Sequence, residues 1–247
     1  MTAATSPVQG GTSELAQVVA RKGAEPSTHG APRSGRDERN YPVTNAPPCS
    51  IRRVTGPLLE LRAPIRTARL TLRPFAETDL GTLFAIQSDP EVVRWLYVDV
   101  RDRGEVMAAL QRRITSTVVA AEGDSLYLAA DRQDTGELVA ELVLSWVSRD
   151  HATGELGFTV HPAHQGQGYA TEGGEAMLQL AFEGLGLHRV IGRMEARNVR
   201  SARVMEKLGM RREAHLIENE WVKGEWQSEL DYAILEQEWR EQARMPG

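Results

Sequence analysis

The stretch Gly154–Ala181, GELGFTVHPAHQGQGYATEGGEAMLQLA, constrains this chain more than any other. Leu156, Phe158 and Val160 alternate with Gly157, Thr159 and His161, which is the two-residue period of a strand. Pro162 closes the strand, Gln165-Gly166-Gln167-Gly168 forms a tight loop, and a helix follows. That helix carries Gly173, Met177, Leu180 and Ala181 at i, i+4, i+7 and i+8, an apolar face with a small residue near its start that can lie close on a sheet. The first four N–H groups of a helix lack intrahelical partners, and the macrodipole adds about half a positive charge there. Glycines at 166 and 168 permit positive φ and let several N–H groups converge, so the loop is suited to an anion such as phosphate.

Known phosphate loops can be tested against these residues. A P-loop needs Lys-Ser/Thr after its last glycine, and here Tyr169 and Ala170 follow Gly168. A dinucleotide fingerprint beginning at Gly166 would need glycine at 171, where threonine stands, and no second βαβ unit repeats. A plain glycine-rich strand-to-helix turn stays open on the loop alone.

The 247 residues allow one large domain or two small ones. No apolar run approaches the roughly 20 residues of a membrane span, and the N-terminus has no basic segment leading into an apolar core, so the expectation is a cytoplasmic protein without membrane partners. A single cysteine, Cys49, fits a reducing compartment. The net charge of −5 is uneven: residues 1–63 carry +3 and the remainder −8. An acidic core argues against nucleic acid and would attract a cationic amine, although an ordinary solvated acidic surface is the simpler reading of the same count. His161 and His164 flank the loop, but Pro162 lies between them and no Cys or carboxylate set completes a ligand cluster, so no metal is expected.

Residues 1–63, rich in Ser, Thr, Gly, Pro and Ala, read as a disordered extension. Residues 64–240 read as one domain and 241–247 as a tail. A strand is expected at Arg69–Pro74, then helices at Asp79–Gln87, Asp89–Trp95 and Gly104–Ser116. Strands at Ser125–Ala130 and Glu137–Val147 are joined by a polar turn, a strand at Arg189–Glu195 enters after Gly184-Leu185-Gly186, and strands at Met210–Trp221 and Trp226–Leu235 form a hairpin about Lys223-Gly224-Glu225.

Gln165-x-x-Gly168-x-Ala170 after Val160-His161-Pro162 resembles the acyl-CoA loop of the GCN5-related N-acetyltransferase (GNAT) family. Asn198-Val199-Arg200-Ser201 leading to Glu206-Lys207-Leu208-Gly209-Met210 resembles that family's later helix. The resemblance covers about Ile65–Trp239; the run Gly168-Tyr169-Ala170-Thr171-Glu172 and the later Gly224-Glu225-Trp226 point to its ribosomal-protein-alanine N-acetyltransferase-like branch. It implies a mixed α/β GNAT fold, with a mostly antiparallel sheet flanked by helices. The implied activity is acetyl transfer from acetyl-CoA to a primary amine, either a protein N-terminal α-amine or a small amine, by a monomer or homodimer. The alternative is a catalytically silent acyl-CoA-binding domain.

The resemblance also implies residue roles. Glu155, at the start of the central strand, would be the general base, with a surface strand-end carboxylate as the other reading. Ser201 would protonate the departing thiolate, or be a helix-capping hydroxyl. Asn198 would orient the pantetheine arm or a water, or cap the same helix. Main-chain groups of Phe158, Thr159 and Val160 would pair with pantetheine, and the N–H groups of Gln165, Gly166, Gln167, Gly168, Tyr169 and Ala170 would hold the diphosphate. Trp95 and Tyr97 would wall the acceptor site, with core packing as the alternative.

Overall fold

The computed structural model describes residues 59–61 and 63–244. The expected disordered extension falls outside the described residues up to 58, as does Cys49. Leu59–Glu60 forms a two-residue strand (β1) paired antiparallel with Val118–Val119 (β4), and Leu59 and Leu61 pack against the hydrophobic core, so ordered structure begins ahead of residue 64.

The main sheet contains β2 (Ile65–Arg66), β3 (Leu70–Arg73), β5 (Ser125–Arg132), β6 (Leu138–Ser148), β7 (Thr153–Val160), β8 (Arg189–Glu195), β10 (Glu225–Leu235) and β9 (Arg211–Val222), in that spatial order. Every neighbouring pair is antiparallel except β7 and β8, which run parallel. Parallel neighbours need a crossover, and the loop and helix α4 (Tyr169–Gln179) supply it. A single π turn at Leu180–Gly184 ends this crossover.

Strand alternation sends successive side chains to opposite faces. On one face α4 and α5 (Val199–Lys207) cover the sheet. A Cβ added to Gly173 would lie 2.6 Å from Leu142 Cδ1, and one on Gly192 would lie 2.4 Å from Met205 Cε, so both helices approach the sheet only because these positions carry no side chain. Leu142, Leu144, Leu156, Met177, Leu178 and Val190 form the centre of this layer, each almost wholly buried.

The other face meets α1 (Leu80–Gln87), α2 (Pro90–Val93) and α3 (Arg103–Thr115). Their boundaries follow local chemistry. Asp89 accepts from Glu91 N with Pro90 in the first helical position, and Asp102 with Glu105 closes a capping box at the start of α3. Buried Arg113 on α3 donates Nε and Nη2 to Glu141 on β6, tying the helix to the sheet through a paired charge. The β9–β10 hairpin turns at Lys223 and Gly224 with φ of 51° and 81°, both left-handed, as a type I′ turn requires. The C-terminal helix α6 (Glu236–Arg244) lies beyond what the sequence pattern anticipated, running through the expected tail boundary; its Trp239 ring meets Phe182 at 5.3 Å.

Candidate active site

The pairing of β7 with β8 stops at Glu155 opposite Ile191, yet β7 continues to Val160 and β8 to Glu195. The two strands therefore diverge in mid-sheet. Beyond that point the Phe158 and Val160 backbone groups, which face β8, have no strand partner among the described residues. Such unpaired strand groups can receive an extended chain. Phe158 and Val160, half-buried against the core, form this open margin, whereas the Thr159 backbone turns to its partner Glu141 on β6 and is not open to a ligand as the sequence reading expected.

The glycine loop lies where β7 ends. Gly166 and Gly168 adopt φ of 77° and 87°, which places Gly168 as a left-handed N-cap of α4. The N–H of Gln165 is spent on Pro162 O in a short 3-10 turn, so it is not available to a ligand as the sequence reading expected. The N–H groups of Gly166, Gln167, Gly168, Tyr169 and Ala170 make no hydrogen bond among the described residues. Gln165 contributes through its side chain: Nε2 donates to Val160 O at 3.3 Å and Oε1 accepts from Arg200 Nη1 at 2.8 Å, joining the loop to the first turn of α5. The Tyr169 and Ala170 side chains are buried and turned into the protein, so only their main chain can face a ligand.

Across the cleft, Asn198 caps α5 by accepting from Ser201 N at 3.2 Å. The capping role open to both residues thus belongs to Asn198. The Ser201 hydroxyl makes no hydrogen bond among the described residues and stays half-buried near the start of α5.

At the point of divergence, Glu155 is buried at 8% exposure and both its oxygens accept from Arg193 on β8, at 3.1 Å from Nε and 2.5 Å from Nη2. It is not a surface strand-end carboxylate. Burial works against the Arg193 charge, but Glu155, Glu229 and Asp231 outweigh it and hold the guanidinium above its ordinary pKa. The same face continues with Glu195, opposite Glu229 in the β8–β10 register, both nearly inaccessible. Glu195 accepts from Arg197 Nε and N, while Tyr97 Oη donates to Glu229 Oε2 at 2.9 Å. Burial first, and then the Glu229 charge, push the Tyr97 hydroxyl well above the ordinary tyrosine range. Tyr97 therefore reaches the site face, whereas Trp95 is half-buried beneath the Arg94 guanidinium at 4.4 Å.

Sequence reasoning missed Arg193, Glu195, Glu229 and Arg200, and also the contact of Arg69 with the glycine loop. No local period marks them, since each acquires its meaning from a strand or helix distant in the chain. His164 Nε2 lies 3.2 Å from Glu137 Oε1, and among the described residues no group of three or more His, Cys, Asp or Glu is placed to hold a metal ion.

The fold is that of an acyltransferase that draws its acetyl group from acetyl-CoA, as the family and relatives that match this chain show. The family model described as an acetyltransferase (GNAT) domain matches residues 69–211, and the chain belongs to that family. It is 31% identical to the uncharacterised N-acetyltransferase YnaD of Bacillus subtilis over 71% of this chain and 98% of that protein. It is 21% identical to the spermidine N(1)-acetyltransferase of Vibrio cholerae over 68% of this chain and 94% of the relative. The crystal structure of a GNAT acetyltransferase from Bacillus anthracis superposes with a TM-score of 0.63 at 28% identity, covering 71% of this chain and 99% of the other. No described helix is long and apolar enough to cross a membrane.

Proposed function

We propose that the enzyme acetylates a primary amine that reaches Glu155 from the carboxylate-bearing face, while acetyl-CoA lies between β7 and β8 on the opposite side. The observation that carries this reading is the divergence of the two parallel strands between an anion-binding loop and a buried carboxylate. Pantetheine pairs with the β7 margin at Phe158 and Val160, and the free N–H groups of Gly166–Ala170 hold the diphosphate.

Transfer needs a neutral amine, and amines ionise near ~10 on a lysine-like chain or ~8 at a protein N-terminus. Glu155 takes that proton. Each of its oxygens retains a second lone pair beside the Arg193 bond, through which it can hold an intervening water. The amine nitrogen then bonds to the thioester carbonyl carbon, the carbon–sulfur bond breaks, the Ser201 hydroxyl gives its proton to the thiolate, and the proton shed by the new amide nitrogen restores the Ser201 hydroxyl. Asn198, by capping α5, sets the position of Ser201.

Two acceptor classes have specific support. Glu195, Glu229 and Asp231 on the acceptor face favour a cationic small amine, and one relative is named as a spermidine acetyltransferase. The Gly168–Glu172 run and Gly224-Glu225-Trp226, which resemble the ribosomal-protein-alanine branch, favour a protein N-terminal α-amine. Thiol release from acetyl-CoA, followed with a chromogenic thiol reagent against polyamines, aminoglycosides and peptides with free Ala or Ser N-termini, separates them. Release with one class names the acceptor. CoA binding without release by any acceptor refutes the catalytic roles of Glu155 and Ser201.

A further inference from the structure

Arg69 lies immediately before β3, 103 residues before Glu172, and the two meet behind the glycine loop. Glu172, in the first turn of α4, accepts from Arg69 N at 2.6 Å, Arg69 Nε at 2.7 Å and Thr67 Oγ1 at 2.5 Å. Thr67 Oγ1 in turn accepts from Leu70 N at 2.9 Å. The same guanidinium donates Nη1 to Gln167 O at 3.0 Å and stacks 4.8 Å from the centre of the Tyr169 ring. Its Nη2 lies 3.3 Å from where a Cβ on Gly168 would stand.

A trans peptide points its C=O and the following N–H in opposite directions. Drawing the Gln167 carbonyl towards Arg69 therefore turns the Gly168 N–H away from Arg69, out of the front of the loop. Glu172 would otherwise set a negative charge beside the helix N-terminus that is to receive an anion. Three donors turn it aside, and its side chain is only 13% exposed.

We propose that Thr67, Arg69 and Glu172 form a positioning clamp that sets the 167–168 peptide so that the loop N–H groups face the diphosphate of the acyl carrier. This rests on the acetyl-CoA reading above. The clamp touches no reacting atom; it acts through the loop. It joins the turn between β2 and β3 to the phosphate loop, so the loop's shape depends on that turn as well as on its own glycines.

The test compares the wild-type chain with Arg69→Met, Arg69→Lys and Thr67→Val, using calorimetric CoA binding and turnover of two thioesters, acetyl-CoA and the phosphate-free S-acetyl-N-acetylcysteamine. Arg69→Met is expected to weaken CoA binding about tenfold or more, on the order of two lost charge-assisted hydrogen bonds. Its loss of kcat/KM on acetyl-CoA should exceed its loss on the short thioester by about the same factor, carried by KM. Arg69→Lys, which keeps a donor for Gln167 O, should restore part of the affinity, and Thr67→Val should show a smaller loss of the same sign. Equal losses on both thioesters, or CoA binding as tight as wild type, overturn the clamp. A wild-type chain that binds no CoA refutes the acetyl-CoA reading itself. If Arg69→Met does not fold, the Lys and Val variants decide by the same ratio.

Discussion

Replacing Glu155 by glutamine separates a base from a structural ion pair. The side chain keeps its shape and one acceptor for Arg193 but loses its charge and its capacity to take a proton. Two charge-assisted hydrogen bonds of 3.1 and 2.5 Å are altered in a setting where both side chains are only 10% exposed. Hydrogen bonds to charged groups contribute about 1.5–3 kcal/mol each. Glutamine retains one bond, and Glu229 and Asp231 still face Arg193, so the expected destabilisation is about 2 kcal/mol. For a domain of this size that lowers Tm by about 4–8 °C. A typical domain has about 5–15 kcal/mol in hand, so the variant stays folded at assay temperature. Loss of the base should lower kcat about 100-fold, or about 2.7 kcal/mol of barrier, with CoA affinity unchanged. The assay pairs thermal unfolding with thiol release at saturating acetyl-CoA and calorimetric CoA binding. A variant that melts lower but turns over at the wild-type rate would show that Glu155 only holds Arg193 and β8 in place, and the catalytic reasoning would be wrong.

Three further outcomes are expected. Gly168→Glu places a β-branchless but bulky acid at φ 87°, against Arg69 Nη2 and in the path of the diphosphate, and should abolish CoA binding in calorimetry; retained affinity would refute the loop assignment. Ser201→Ala should lower kcat at saturating substrates by about tenfold or more while leaving α5 capped by Asn198; full activity would exclude the proton-donor role. Arg113→Met strands the buried Glu141 carboxylate and should cost about 3–5 kcal/mol in urea unfolding, whereas Arg113→Met with Glu141→Leu should recover most of it; a double variant no more stable than the single one would contradict the buried-pair account.

Much of the site's framework is written in short-range pattern. The alternation along Leu156–Val160, the stop at Pro162 and the glycines at 166 and 168 specify a strand, a left-handed loop and a helix start, because φ preferences and the helical period act over a few residues. Lys223-Gly224 and the Asp102–Glu105 box mark their turn and helix in the same way. Other parts were less legible. Helix α6 is mostly polar and exposed and carries no clear apolar period, and β1 is two residues long, so neither announces itself.

What only the tertiary structure decided is which side chains face one another. Glu155 was visible as a carboxylate at a strand start, but its partner Arg193 stands on β8, 38 residues on, and becomes a neighbour only because the crossover sets two strands in parallel register. The splay that opens the cleft is likewise a property of two strands and not of either one. Arg69 and Glu172 meet across 103 residues, and Tyr97 and Glu229 across 132. Local sequence governs backbone dihedrals, which are short-range; electrostatic pairing and burial depend on distance in space, and the packed sheet alone sets that distance.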